Sequence, residues 1–143
     1  MMEKFFNSLP INPEFDIISM GWYNGYDLAA PRSFWNASQE LRDAITGGCG
    51  PGGVGDYFVP DTIYGLNIKP VCQIHDWTFV VWNNKAGFKK ANNLFKNNMI
   101  RINKQNDGWK LLSKLRLKRI KKYYGAVHFF GEPSYFSSHL KYV

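Results

Sequence analysis

Only two cysteines, Cys49 and Cys72, occur in the 143 residues. That is too few for a disulfide-dense scaffold and enough for at most one bridge. No apolar run approaches the ~18 residues that span a bilayer, which speaks against a membrane-spanning helix. Met1 to Phe15 holds one lysine and no apolar block of the kind a secretory leader needs, so none is visible. No heptad pattern points to a coiled coil. Acidic residues are scarce beyond residue 84, where only Asp107 and Glu132 occur. What is present argues for a packed domain: 45% apolar and 17% aromatic residues are too many for a disordered chain. The length suits a single domain, residues 1–143, with no repeat or linker.

The net charge of +7 is unevenly placed. Residues 1–84 carry four basic and nine acidic side chains; residues 85–143 carry fourteen basic and two acidic. The densest stretch is Lys114 to Lys122, with Lys114, Arg116, Lys118, Arg119, Lys121 and Lys122. Such a field draws polyanions, either an anionic lipid surface or nucleic acid, and a solvated helix face is the plainer alternative. No nucleic-acid-binding motif accompanies the charge.

Residues 1–33 read as an irregular segment broken by Pro10, Pro13, Gly21, Gly25 and Pro31, with one short strand candidate near Ile17–Tyr23. Its aromatic residues require that it pack on the core. A first helix is expected from about Asn36 to Thr46, with Asn36 and Gln39 as a loose capping box and Gly47-Gly48 as its stop. Residues 47–55 hold six glycines in nine positions, which no helix or strand interior tolerates. Pro60-Asp61-Thr62 reads as a turn. Pro70 suits the first turn of a second helix ending near Trp82. A third helix, about Lys85 to Lys104, carries Phe88, Ala91, Asn92, Phe95, Met99 and Ile102 on one stripe. A fourth runs from about Trp109 to Phe130.

The chemistry concentrates on the second helix, where Cys72, His75, Asp76 and Phe79 share a face at i, i+3, i+4 and i+7. Carbonyls of a tight glycine turn, joined by one carboxylate, make an all-oxygen cage for a hard cation, and calcium accepts such ligands in flexible geometry. A histidine beside that cage is placed to act as general base on water. The glycines of residues 50–55 also satisfy a G-x-G-x-x-G pattern. A nucleotide loop, however, needs a strand before it and a helix directly after, and here a helix precedes and Asp56 to Pro60 follows. A lone His-Asp pair is commonly structural, and His128 and His139 lack any comparable context and read as structural or exposed.

Gly48-Cys49-Gly50-Pro51-Gly52-Gly53, followed by Cys72-Gln73-Ile74-His75-Asp76, resembles the phospholipase A2 superfamily, which joins a Cys-Gly-x-Gly-Gly calcium loop to a Cys-x-x-His-Asp helix. Val59 to Leu66 and Ile74 to Trp77 are similar to its bacterial and bacteriophage-type members. The resemblance covers roughly residues 46–100 and, more faintly, the stretch from Tyr123-Tyr124 to Phe130-Gly131. It implies a mainly α fold, with two antiparallel catalytic helices, a glycine-rich calcium loop and a basic C-terminal helix. It implies that the carbonyls of Gly48, Gly50 and Gly52 and the carboxylate of Asp76 bind Ca2+. His75 would activate water, and the Gly50 amide would help hold the oxyanion. Cys49 and Cys72 would pair; closing roughly 24 residues, such a bridge stabilises by about 3.4 kcal/mol. The alternative is two buried free thiols. A virion-associated protein, or one exported without a leader, would meet oxidising conditions.

Two positions depart from the family pattern. Phe79 stands where a tyrosine often braces the catalytic network, and phenylalanine has no hydroxyl to donate. Asn92 stands where an aspartate usually accepts the second ring N–H of the histidine; its amide oxygen can set the tautomer but carries no charge to stabilise an imidazolium. The implied activity is calcium-dependent hydrolysis of the sn-2 ester of glycerophospholipids, with the basic cluster on a bilayer surface. The alternatives are a weak or inactive phospholipase-like membrane-binding or virion protein, and a basic nucleic-acid binder.

Overall fold

The computed structural model describes residues 11–46, 62–82, 84–106 and 110–130. Among these, the chain is mainly helical, with five helices and two small antiparallel sheets. The first sheet is a hairpin, β1 (Ile18–Tyr23) paired with β2 (Tyr26–Pro31), Tyr23 opposite Tyr26 and Ile18 opposite Pro31. Asn24 (φ +49°) and Gly25 (φ +98°) turn it, the positive-φ pair that a two-residue hairpin turn demands.

Of the segment expected to be irregular over 1–33, residues 1–10 lie outside the described residues and the hairpin takes up residues 18–31. Its second strand hid because Leu28, Ala29 and Ala30 are all buried, so apolar and polar residues do not alternate. Gly21 is required by a close approach: a Cβ there would lie 2.6 Å from the ring of Trp35, whose Nε1 donates to the Ser19 carbonyl at 3.0 Å.

The single helix expected over 36–46 is two, α1 (Arg32–Asn36) and α2 (Gln39–Ile45). Asn36 is not a cap. Ser38, with extended backbone, accepts from the Leu41 N–H and starts α2. Arg42 then satisfies the open end of α1, donating to the carbonyls of Phe34 (2.8 Å) and Trp35 (3.1 Å). A second, minimal hairpin, β3 (Thr62–Ile63) and β4 (Leu66–Asn67), turns at Tyr64 and Gly65. Pro60 and Asp61 of the expected turn lie outside the described residues.

Three longer helices form the frame: α3 (Lys69–Val81), α4 (Lys85–Gln105) and α5 (Lys110–Phe130). Pro70 sits in the first turn of α3, and Asn84 caps α4 by accepting from the Gly87 N–H. Helices α3 and α4 run antiparallel: His75 meets Asn92, and Phe79 meets Phe88 one turn on. The stripe Phe88, Ala91, Asn92, Phe95, Met99 and Ile102 is buried throughout. Helix α5 lies antiparallel on α4, through Tyr124 to Asn93 (3.1 Å) and Asn103 to Ser113 (3.2 Å).

Two polar devices fix the hairpin to this frame. The first uses side-chain amides of α4 in place of a third strand. Asn98 bonds both the N–H and the C=O of Ala29, at 2.9 and 2.7 Å, and Gln105 does the same for Asp27, at 2.9 Å each. The outward backbone groups of alternate residues of β2 are thereby satisfied. The second is buried Asp16. Its carboxylate accepts from the Ser33 N–H (2.9 Å), the Ser33 hydroxyl (2.6 Å) and Trp82 Nε1 (2.9 Å), while Trp77 Nε1 donates to Ser33 Oγ at 2.9 Å. The segment before α1 is thus tied to two tryptophans of α3 and its cap.

Candidate active site

Helix α3 is packed on nearly every side, with Ile74, Trp77 and Phe79 at 0% exposure. His75 and Asp76 are drawn into the interior with these neighbours, at 2% and 4%. The imidazole lies between two rings: it stacks on Phe95 at 4.5 Å and 23°, and is tilted against Phe79 at 4.3 Å and 51°. Across the helix pair, His75 Nε2 is 2.9 Å from Asn92 Oδ1. Asn92 is fully buried, and its Nδ2 finds no acceptor among the described residues.

With Oδ1 facing it, Nε2 carries the proton and donates, so the lone pair of the neutral ring resides on Nδ1. Burial pushes the His75 pKa down to about 4, because the charged imidazolium loses its hydration; the hydrogen bond to Asn92 only partly opposes this. The ring is therefore neutral at ordinary pH.

The predicted site residues fall into three groups. His75, Asn92 and Phe79 come together on the facing surfaces of α3 and α4, and Asp76 is the next residue of α3, buried. Gly48, Gly50, Gly52 and Cys49 lie outside the described residues. Cys72, one turn before His75, is buried, and no cysteine among the described residues is a free thiol. Asp76 is a hard oxygen donor and in type fits a calcium ligand set; the carbonyls that would complete it belong to residues 48–52. No cluster of three or more His, Cys, Asp or Glu occurs among the described residues, and a cage built from backbone carbonyls would not form one.

Of the basic cluster on α5, Lys114, Lys118, Arg119, Lys121 and Lys122 are exposed. Arg116 is not: it is 8% exposed, and its Nη2 donates to the Tyr64 carbonyl at 2.8 Å. It shares the buried face of α5 with Ile120, Tyr123 and Val127, at helical spacing. Its expected place on a membrane-facing surface is therefore corrected. It holds the β3–β4 turn, where Tyr64 takes a left-handed φ of +44° that bulky residues rarely adopt. The Arg119 guanidinium stands 5.6 Å from the same ring.

Two contributors to the site carried no sequence signal of their own. Phe95 reads as one member of a core stripe, yet it is the ring stacked on His75. Gln73 accepts from Tyr23 Oη at 2.7 Å, and Gln39 Nε2 donates to the same oxygen at 3.1 Å, which ties the His75 helix to the hairpin and to α2. No helix among the described residues is long and apolar enough to cross a membrane. No family model matches the chain, and comparison with curated proteins and with solved structures likewise finds no match.

Proposed function

We propose that the chain is a phospholipase A2-like hydrolase, cleaving the sn-2 ester of glycerophospholipids to a lysophospholipid and a fatty acid. The observation that carries the reading is the 2.9 Å contact of His75 Nε2 with Asn92 Oδ1, with Asp76 next along the helix. That contact assigns the basic lone pair to Nδ1. In this reading Nδ1 takes a proton from water as the water oxygen adds to the ester carbonyl, and returns it to the departing alkoxide. The Gly50 amide would donate to the oxyanion. Calcium, held by the carbonyls of Gly48, Gly50 and Gly52 and by Asp76, would supply Lewis acidity at that carbonyl. A Cys49–Cys72 bridge would hold the loop against α3. The exposed cations of α5, Lys114, Lys118, Arg119, Lys121 and Lys122, would meet anionic headgroups.

The test is release of fatty acid from phospholipid vesicles. Release should stop with a calcium chelator and fall about 10²- to 10⁴-fold in His75→Ala, the usual contribution of a general base. Undiminished release in His75→Ala would overturn the mechanism.

A second reading rests on the neutral partner. A base whose pKa lies near 4 has little affinity for a proton at neutral pH, and Asn92 supplies no charge to restore it. That favours a slow enzyme, or a phospholipase-like scaffold in a membrane-binding or virion role. Asn92→Asp separates the two: the carboxylate raises the His75 pKa, and a slow enzyme then gains about tenfold or more in rate. No release from either form marks the scaffold.

A further inference from the structure

Helix α4 uses three arcs of its circumference for packing. Phe88, Asn92 and Phe95 face α3; Asn93, Lys96 and Asn103 face α5; Asn98 and Gln105 hold the hairpin. The remaining arc, between α5 and the hairpin, floors an open groove of about 560 Å³. Ile18, Ala29, Ala86 and Leu94 give it an apolar base, and Lys85, Lys89, Lys90 and Arg101 give it four cations; no acidic residue lines it.

The placement of these cations works against fold stability. Lys85, Lys89 and Lys90 occupy the first two turns of α4, at the positive end of the helix dipole, and the first turn has no acid to offset them. Lys90 is engaged, donating to the Pro13 carbonyl at 2.7 Å beside the ring of Trp82, and Arg101 bonds Asn98 Oδ1 at 3.0 Å. Lys85 and Lys89 are exposed and have no carboxylate partner among the described residues.

Beside this cationic arc runs an exposed apolar row. Ile18, Met20 and Trp22 alternate along one face of β1, and Ile18 enters the groove lining. Met20 is 56% exposed and Trp22 68%; Phe15 (78%) and Ile17 (53%) precede them. Among the described residues, the exposed members Lys85, Lys89, Met20 and Trp22 are not buried by packing.

We propose that this groove is a non-catalytic site for the anionic head of a bilayer lipid. Lys85 and Lys89, one turn apart on α4, would take the phosphate, and Trp22, Met20 and Phe15 would enter the headgroup and acyl boundary of the same bilayer. Lysines with exposed aromatic and thioether side chains make up the pairing that an anionic membrane interface accepts. Neither Asn92 nor His75 lines the groove, and both are buried, so a lipid held there is not the one presented to His75. The proposal deepens the lipid-surface part of the preceding reading and does not need the hydrolytic step.

The experiment is vesicle sedimentation with the full chain in calcium chelator, which removes turnover. Phosphatidylglycerol vesicles are compared with phosphatidylcholine vesicles, and dihexanoyl phosphatidylglycerol below its micellar concentration and inorganic phosphate serve as soluble competitors. Wild type should prefer phosphatidylglycerol vesicles. Lys85→Gln/Lys89→Gln should weaken partitioning about tenfold or more, and Trp22→Ser should weaken it on either vesicle. Both substitutions fall on exposed side chains, and unchanged circular dichroism checks the fold. Displacement by the soluble lipid but not by phosphate supports a lipid head; equal displacement by phosphate overturns it in favour of a bare anion site. Binding unchanged in both variants, but lost in Lys118→Gln/Lys121→Gln/Lys122→Gln, overturns it in favour of α5 alone. If the groove lysines support DNA retention equally and Trp22→Ser changes nothing, the site reads polyanion charge and the proposal fails. Loss of vesicle hydrolysis with groove binding intact would remove the enzymatic reading and leave this one standing.

Discussion

The inward and outward faces of α4 contrast sharply. Inward, Asn92 and Phe95 are at 0% and 1% exposure and present a neutral amide and a ring to His75. Outward, the same helix carries Lys85, Lys89 and Arg101 along a solvent-open groove. Burial is the stronger influence on the inner face: it outweighs the hydrogen bond to Asn92 and holds His75 neutral. On the outer face charges cost little to keep, because water solvates them, and they remain available to a partner. One helix therefore carries a buried amide and ring against His75 and, elsewhere on its surface, an exposed cationic groove.

The contrast is tested first on the inner face. Phe95→Ala removes the ring stacked on His75 and leaves a cavity in the α3–α4 seam. It should cost about 3–5 kcal/mol, read by urea denaturation. A cost below about 1 kcal/mol would mean that the seam is loosely packed and His75 is not held by it.

A titration comes next. The folded-state pKa of His75, about 4, lies below the unfolded value of about 6.5. As pH falls from 6.5 towards 4, the unfolded chain binds a proton that the folded chain refuses. The contribution is complete above about pH 6.5 and is lost progressively down to about pH 4, on the order of 2–3 kcal/mol. Thermal melts of wild type and His75→Gln across that range should converge as pH drops. A constant gap between them would show an imidazole that protonates as easily folded as unfolded.

The smallest effect belongs to the outer face. Lys89→Gln should change stability by less than about 0.5 kcal/mol, because it removes an exposed charge near the positive end of a helix. A larger loss in denaturation would mean that the outer cations are structural, and the division between the faces would fail.

How far the site was legible can be followed residue by residue. The spacing of Cys72, His75, Asp76 and Phe79 placed them on one face, and the stripe from Phe88 to Ile102 was legible because period-3.6 burial writes itself into composition. Arg116 was misread because a lysine-rich helix offers no local mark for the one cation that turns inward. That was decided by the Tyr64 carbonyl, 52 residues away. The Asn24-Gly25 turn was available as a hairpin signal, but strand β2, covered on both sides, lacked the alternation to go with it.

Alone, the sequence determined the three long helices, their buried stripes, the proline that starts one of them, and the concentration of cations beyond residue 84. Those follow from local propensity and periodicity, which act within a few residues. Only the tertiary structure decided that Phe95 stacks on His75, that Asn98 and Gln105 substitute for a missing strand, and that Asp16 anchors two tryptophans. Each of these contacts depends on elements brought together over long sequence separations or on the angle at which they cross, and neither is encoded in the neighbours of any one residue.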